Sequence, residues 1–158
     1  NQLYRMDHPD RIDFKAYTFD LLQLLSSMYG SMNVKLDLQL LDVALPLDKA
    51  LPCGLVMSEI VTNSFKHAFN PKEPGFLKVV FGMDKDVFHM SLSDSGPGMG
   101  PNLPPEHTPP FGVALSMGLR MIQNIVEHQL GGNFRVNPGP GCRTTWEASS
   151  GSAPGIQP

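Results

Sequence analysis

Apolar residues recur along this chain with two different periods, and the switches between them mark its elements. After Asp13, a residue suited to cap a helix, Phe14, Tyr17, Leu21, Leu24, Leu25 and Met28 fall at helical spacing until Gly30. The period then drops to two: Val34, Leu36, Leu38 and Leu40 alternate with Lys35, Asp37 and Gln39, which predicts a strand with one buried face. A second helix is predicted from Asp48 or Pro52, since proline is tolerated in a first turn, to about Phe69, with Asn70-Pro71 as the break. The β-rich runs at 76–83 and 87–94, separated by Asp84, Lys85 and Asp86, predict a hairpin whose second strand ends in Asp94.

Residues 99–115 hold Pro101, Pro104, Pro105, Pro109 and Pro110 with Gly100 and Gly112, and predict a long loop. A third helix is expected from about Ser116, with Leu119, Ile122, Ile125, Val126 and Leu130 as its stripe and Gly131-Gly132 as its stop. Runs at 133–137 and 143–148, joined by Pro-Gly-Pro-Gly, predict a closing hairpin, and residues 149–158 read as a flexible tail. The order is helix, strand, helix, two strands, helix, two strands. It predicts an α/β (α+β) fold: a two-layer sandwich of a mixed, about five-stranded sheet with three helices on one face.

Composition narrows the function classes. With 158 residues, 41% hydrophobic and 17% charged, the chain suits one globular domain. Its net charge of −3 offers no basic footprint for nucleic acid, and no run approaches the roughly 18 apolar residues of a membrane helix. No direct membrane contact is expected. Cys53 and Cys142 lie far apart without metal or redox spacing, so a reducing cytoplasm is the expected setting. The chain opens at Asn1 without a signal peptide, which suggests a piece of a longer protein.

Chemistry concentrates on the second helix. At 100° per residue, Glu59, Asn63, Lys66 and Asn70 fall within roughly 60° of one another, opposite Met57, Val61 and Ala68. One reading is a solvated face of compatible side chains. The other makes Asn63 an oxygen ligand for Mg²⁺, with Glu59 orienting a nucleophile or water and Lys66 or His67 meeting phosphate charge. Asp94-Ser95-Gly96-Pro97-Gly98 is either a tight turn after a strand or a carboxylate that accepts a hydrogen bond from adenine, with glycines admitting the base and sugar. Gly118 either opens a helix or presents backbone N–H groups to a phosphate, and Ser116 is the candidate cap. His67, His89, His107 and His128 share no metal spacing.

Together these segments resemble the ATP-binding catalytic domain of sensor histidine kinases, in the superfamily that includes gyrase, the Hsp-type chaperone and the mismatch-repair ATPases. Glu59 through Phe69 is similar to that family's N box. Asp94-Ser95-Gly96-Pro97-Gly98-Met99 is similar to its first glycine box, and Ser116-Met117-Gly118-Leu119 through Gly132 to its second. The opening Leu3-Tyr4-Arg5 with Ile12-Asp13, and the Lys66–Phe69 ending, are most similar to the subfamily with a variant dimerisation helix. Cys142 departs from the pattern: many relatives place a threonine about there, and the resemblance leaves Thr144 or Thr145 as the expected hydroxyl of the base pocket.

The resemblance implies a Bergerat-type fold over residues 1–148, with a lid at 99–117, Asn63 on Mg²⁺ and Asp94 on adenine. ATP and Mg²⁺ are the implied cofactors; Asn70, Gly96, Gly98, Met99, Ser116, Gly118 and Leu119 complete the implied site. It also implies transfer of the γ-phosphoryl to a histidine on an upstream dimerisation domain, then to a response regulator, within a homodimeric protein. His8, His67, His89, His107 and His128 do not resemble the phosphoacceptor motif, so the chain alone is expected to bind ATP with little self-phosphorylation. An anti-sigma-type serine kinase and a non-catalytic nucleotide-binding adaptor are the alternatives that share the fold.

Overall fold

Two short strands and one irregular helical turn are what the apolar periods do not announce. The computed structural model, which describes residues 10–29, 33–96, 117–137 and 143–149, runs in order β1 (Arg11–Asp13), α1 (Phe14–Met28), β2 (Val34–Leu40), β3 (Ala44–Pro46) and α2 (Leu47–His67). The hairpin β4 (Gly75–Asp84) and β5 (Val87–Asp94) follows, then α3 (Met117–Asn124), β6 (Phe134–Asn137) and β7 (Arg143–Ser149).

Five strands form a mixed sheet in the order β2-β4-β5-β7-β6. The β2–β4 pair is parallel and the other pairs are antiparallel. The sheet buries one face. Leu77, Val79 and Phe81 on β4, and Phe88, Met90 and Leu92 on β5, alternate into a single core shared with α1, α2 and α3. Helices on that one face give the expected two-layer sandwich. Phe14 of α1 is fully buried in it, with its ring centroid 5.3 Å from Phe81 and 5.4 Å from Phe88.

Asp13 caps α1, accepting a hydrogen bond from the Ala16 N–H at 3.0 Å, but the buried stripe differs from the expected one. Phe14, Thr18, Leu22 and Leu25 face the core, whereas Leu24 and Met28 are 58% and 67% exposed. The buried i, i+4, i+8 and i+11 series is flanked by Tyr17 and Leu21, which pack partly buried against the same core as expected, so the expected stripe is too wide only at Leu24 and Met28. Thr18 completes it despite its hydroxyl, which has no hydrogen-bond partner among the described residues.

α2 begins earlier and ends sooner than expected. Its start is set by tertiary contact: β1 and β3 form a small antiparallel ribbon, and the Leu47 N–H donates to the Asp10 carbonyl at 3.1 Å. Pro52 therefore lies inside the helix, where it removes one backbone donor in the second turn. At the other end Ala68 caps the helix through its N–H to the Ser64 carbonyl at 2.8 Å. Asn70 is thus off the helix, a correction to the face drawn from 100° spacing. Its Oδ1 accepts the Lys72 N–H at 3.0 Å, the local turn bond that asparagine favours over helix continuation.

The β4–β5 turn closes on two residues, Lys85 and Asp86, because Asp84 pairs with Val87 and Lys85 takes φ +54°. After Asn124, α3 widens into a π-turn over Ile125–Gln129, in which the Leu130 N–H donates to the Ile125 carbonyl at 3.0 Å. Lys49 of α2 reaches the carbonyl of Gln129 at 3.1 Å. Gly131, at φ +62°, ends the segment as expected.

Candidate nucleotide-binding site

The C-terminal end of β5, the polar side of α2 and the first turn of α3 meet at one end of the sandwich. Asp94 is the last residue of β5 and only 6% exposed. A buried carboxylate needs donors, and among the described residues it has two. The Gly96 N–H donates to Oδ1 and the Ser64 hydroxyl donates to Oδ2, each at 2.9 Å. Ser64 lies on α2 immediately after Asn63, so this bond ties the strand end to the helix that carries the other polar groups.

The turn after Asp94 lies against α2. A β-carbon at Gly96 would sit 2.6 Å from Ala68 Cβ and 2.8 Å from its Cα, so only glycine fits between the turn and the helix end. Ser95 pins the same turn to β4: its Oγ accepts the Phe76 N–H at 2.9 Å, and its own N–H donates to the Phe76 carbonyl at 3.1 Å. Beside it, His67, Asn70, Glu73, Ser95 and Gly96 line a cavity of about 480 Å³. That size lies within the usual range for small-ligand pockets.

On the other side, Gly118 brings the first turn of α3 onto Glu59. A β-carbon there would overlap Glu59 Oε1 and lie 3.1 Å from Cδ. Glu59 and Asn63, one turn apart, are half-buried, and Lys66 and His67 are exposed. Leu119 follows Gly118 in the same turn. In the sheet, Thr144 pairs with Leu92 and Thr145 with Ser91, next to the strand that delivers Asp94. Gly98, Met99, Ser116 and Cys142, with the 99–116 part of the expected lid, lie outside the described residues. The structure therefore gathers Glu59, Asn63, Asp94, Gly96 and Gly118 around α2, with His67 and Asn70 on the adjoining cavity.

Sequence reasoning missed Ser64. A hydroxyl at a helix position flanked by Ile60, Val61 and Phe65, all buried, was the available signal, because a buried serine requires a partner. The donor chemistry fits magnesium: an amide oxygen on Asn63 and a carboxylate on Glu59 are hard ligands, and Mg²⁺ commonly takes only one or two from protein and the rest from phosphates and water. Among the described residues no three His, Cys, Asp or Glu side chains converge on a metal position, and Asn63 is the residue that would hold an ion here. No helix among the described residues is long and apolar enough to cross a membrane.

Residues 48–150 match the family of histidine kinase-, DNA gyrase B- and HSP90-like ATPases, and the chain belongs to that family. Its fold is the family's ATP-binding fold. No curated protein sequence matches the chain. Among solved structures it is similar to the histidine kinase domain of a blue-light-activated histidine kinase from Erythrobacter litoralis, with a TM-score of 0.73 at 22% identity over 88% of this chain. It spans 62% of that solved domain's length. The catalytic domain of the histidine kinase ThkA superposes with a TM-score of 0.71 at 19% identity, over 89% of this chain and 94% of that one. Acinetobacter baumannii histidine kinase AdeS gives 0.68 at 16% identity, over 90% and 67%.

Proposed function

We propose that this chain is the ATP-binding kinase domain of a two-component sensor histidine kinase. The observation that carries the reading is the meeting of three separated motifs on α2: Ser64 holds Asp94 at 2.9 Å, Gly96 packs on Ala68, and Gly118 packs on Glu59. Asp94 offers acceptor oxygens to the exocyclic amine of adenine. Asn63 is the residue that would hold Mg²⁺, an ion that would supply positive charge to the phosphates. Backbone N–H groups at the start of α3, near Ser116, Gly118 and Leu119, meet phosphate, and Lys66 and His67 add exposed donors beside it. Glu59 orients the attacking group. Gly98 and Met99 flank the base, Thr144 or Thr145 supplies a hydroxyl, Asn70 borders the pocket, and residues 99–117 serve as the lid.

The phosphoacceptor in this reading is a histidine on an upstream dimerisation domain, the next acceptor is a response regulator, and the whole protein is a cytoplasmic or cytosol-facing homodimer. Residues 1–148 form the catalytic unit and 149–158 the tail. Labelled ATP with Mg²⁺ tests it. The chain alone should incorporate little phosphate, while an added histidine-bearing helical domain from the same protein should become labelled with the acid lability of phosphohistidine. Labelling of a serine, or robust labelling of this chain itself, contradicts the assignment.

A further inference from the structure

Three helical serines show what Ser64 does differently. Ser27 and Ser58 turn their hydroxyls back on their own helices, donating to the Leu24 and Leu55 carbonyls at 2.8 and 2.9 Å. That local bond is the usual resting place of a serine in a helix. Ser64 instead reaches from α2 across to β5 and donates to Asp94 Oδ2 at 2.9 Å, with both residues buried.

We propose that Ser64 is a positioning residue for base specificity: it holds the Asp94 carboxylate in an orientation that reads an exocyclic amine and refuses a carbonyl at the same place on the base. The inference rests on the nucleotide reading above and deepens it. A hydroxyl has one O–H to donate, and here it donates to Asp94 Oδ2. An ionised carboxylate has about four acceptor positions and no donor. Among the described residues the Gly96 N–H takes one position on Oδ1 and Ser64 takes one on Oδ2, so the group is held from both sides and each oxygen has a second acceptor position to offer. What remains is acceptor capacity alone. Adenine presents an amine donor at this edge, whereas guanine and hypoxanthine present a carbonyl oxygen. Without Ser64 the donor that remains among the described residues is the Gly96 N–H on Oδ1, so the carboxylate can turn or recruit water and its preference for a donor weakens.

The test compares Ser64→Ala and Ser64→Thr with the wild-type chain by calorimetric titration. The ligands are ATP, inosine triphosphate and purine riboside triphosphate, the last of which carries only hydrogen in place of the amine. The wild type should prefer ATP over both analogues by about tenfold or more, the scale of one hydrogen bond to a charged group. In Ser64→Ala that preference should shrink to within about threefold, with affinity for purine riboside triphosphate nearly unchanged. Ser64→Thr keeps the hydroxyl and should keep the preference. Equal weakening of all three ligands in Ser64→Ala, or an undiminished preference for ATP, would overturn the role and leave the nucleotide site standing. No binding of any nucleotide by the wild type would remove the site itself and the proposal with it.

Discussion

The two ends of this sandwich bury their residues on different terms. Around Phe14 the rings of Phe81 and Phe88 pack within 5.5 Å of one another, and shape and apolar area hold the layers together. Around Asp94 the contacts are polar and the fit depends on missing side chains: a carboxylate held by a hydroxyl and an amide, and glycines at Gly96 and Gly118 where any β-carbon collides. The first end should govern stability with little say in ligand choice. The second should do the reverse.

Phe14→Ala breaks the comparison hardest. It removes a fully buried aromatic side chain from the core, and denaturant unfolding should show a loss of about 3–5 kcal/mol. Nucleotide affinity of the remaining folded fraction should stay near wild type. A variant that lost affinity without losing stability would mean that the two ends are not separable.

Gly96→Ala sharpens the other side. The added carbon would meet Ala68 Cβ at 2.6 Å and its Cα at 2.8 Å, where backbone cannot swing aside, so the turn after Asp94 must shift. Overpacking of this kind costs about 1–3 kcal/mol, and nucleotide affinity should fall by about tenfold or more as Asp94 loses its amide donor. Unfolding and titration on the same sample measure both. A stability loss with unchanged affinity would place the turn outside the binding surface.

Thr18→Val has the smallest effect and the opposite sign. Its buried hydroxyl has no partner among the described residues, so a near-isosteric methyl should raise stability by about 1 kcal/mol and leave binding untouched. Destabilisation would mean that the hydroxyl is satisfied in solution.

The same contrast explains how far the sequence could be read. The core end was legible because period and burial are the same information: β2 alternates as Val34, Leu36, Leu38 and Leu40 predicted, and Asp94 ends its strand where the hairpin pattern put it. The misses came where tertiary contacts override local preference. β1 and β3 are three residues each, too short to show a period, yet their pairing moved the start of α2 back to Leu47. The π-turn at Ile125–Gln129 keeps Ile125 and Val126 buried, so its apolar pattern reads as ordinary helix. At the site, motif order pointed to Asn63 and Asp94, but the bond from Ser64 depends on how far a helix stands from a strand, which no spacing along the chain encodes. Asn70 failed as a helix-face residue for a local reason, its side chain being engaged in its own turn.

The most direct test of the account is calorimetric titration of this chain with a non-hydrolysable ATP analogue, with and without Mg²⁺, beside Asp94→Asn and Asn63→Ala. Asp94→Asn should weaken binding by about tenfold or more whether or not metal is present, because a charged acceptor is lost. Asn63→Ala should remove mainly the part of the affinity that Mg²⁺ adds. Equal losses in both variants, independent of metal, or no binding by the wild type at millimolar ligand, would contradict the assignment of Asp94 to the base and Asn63 to the ion.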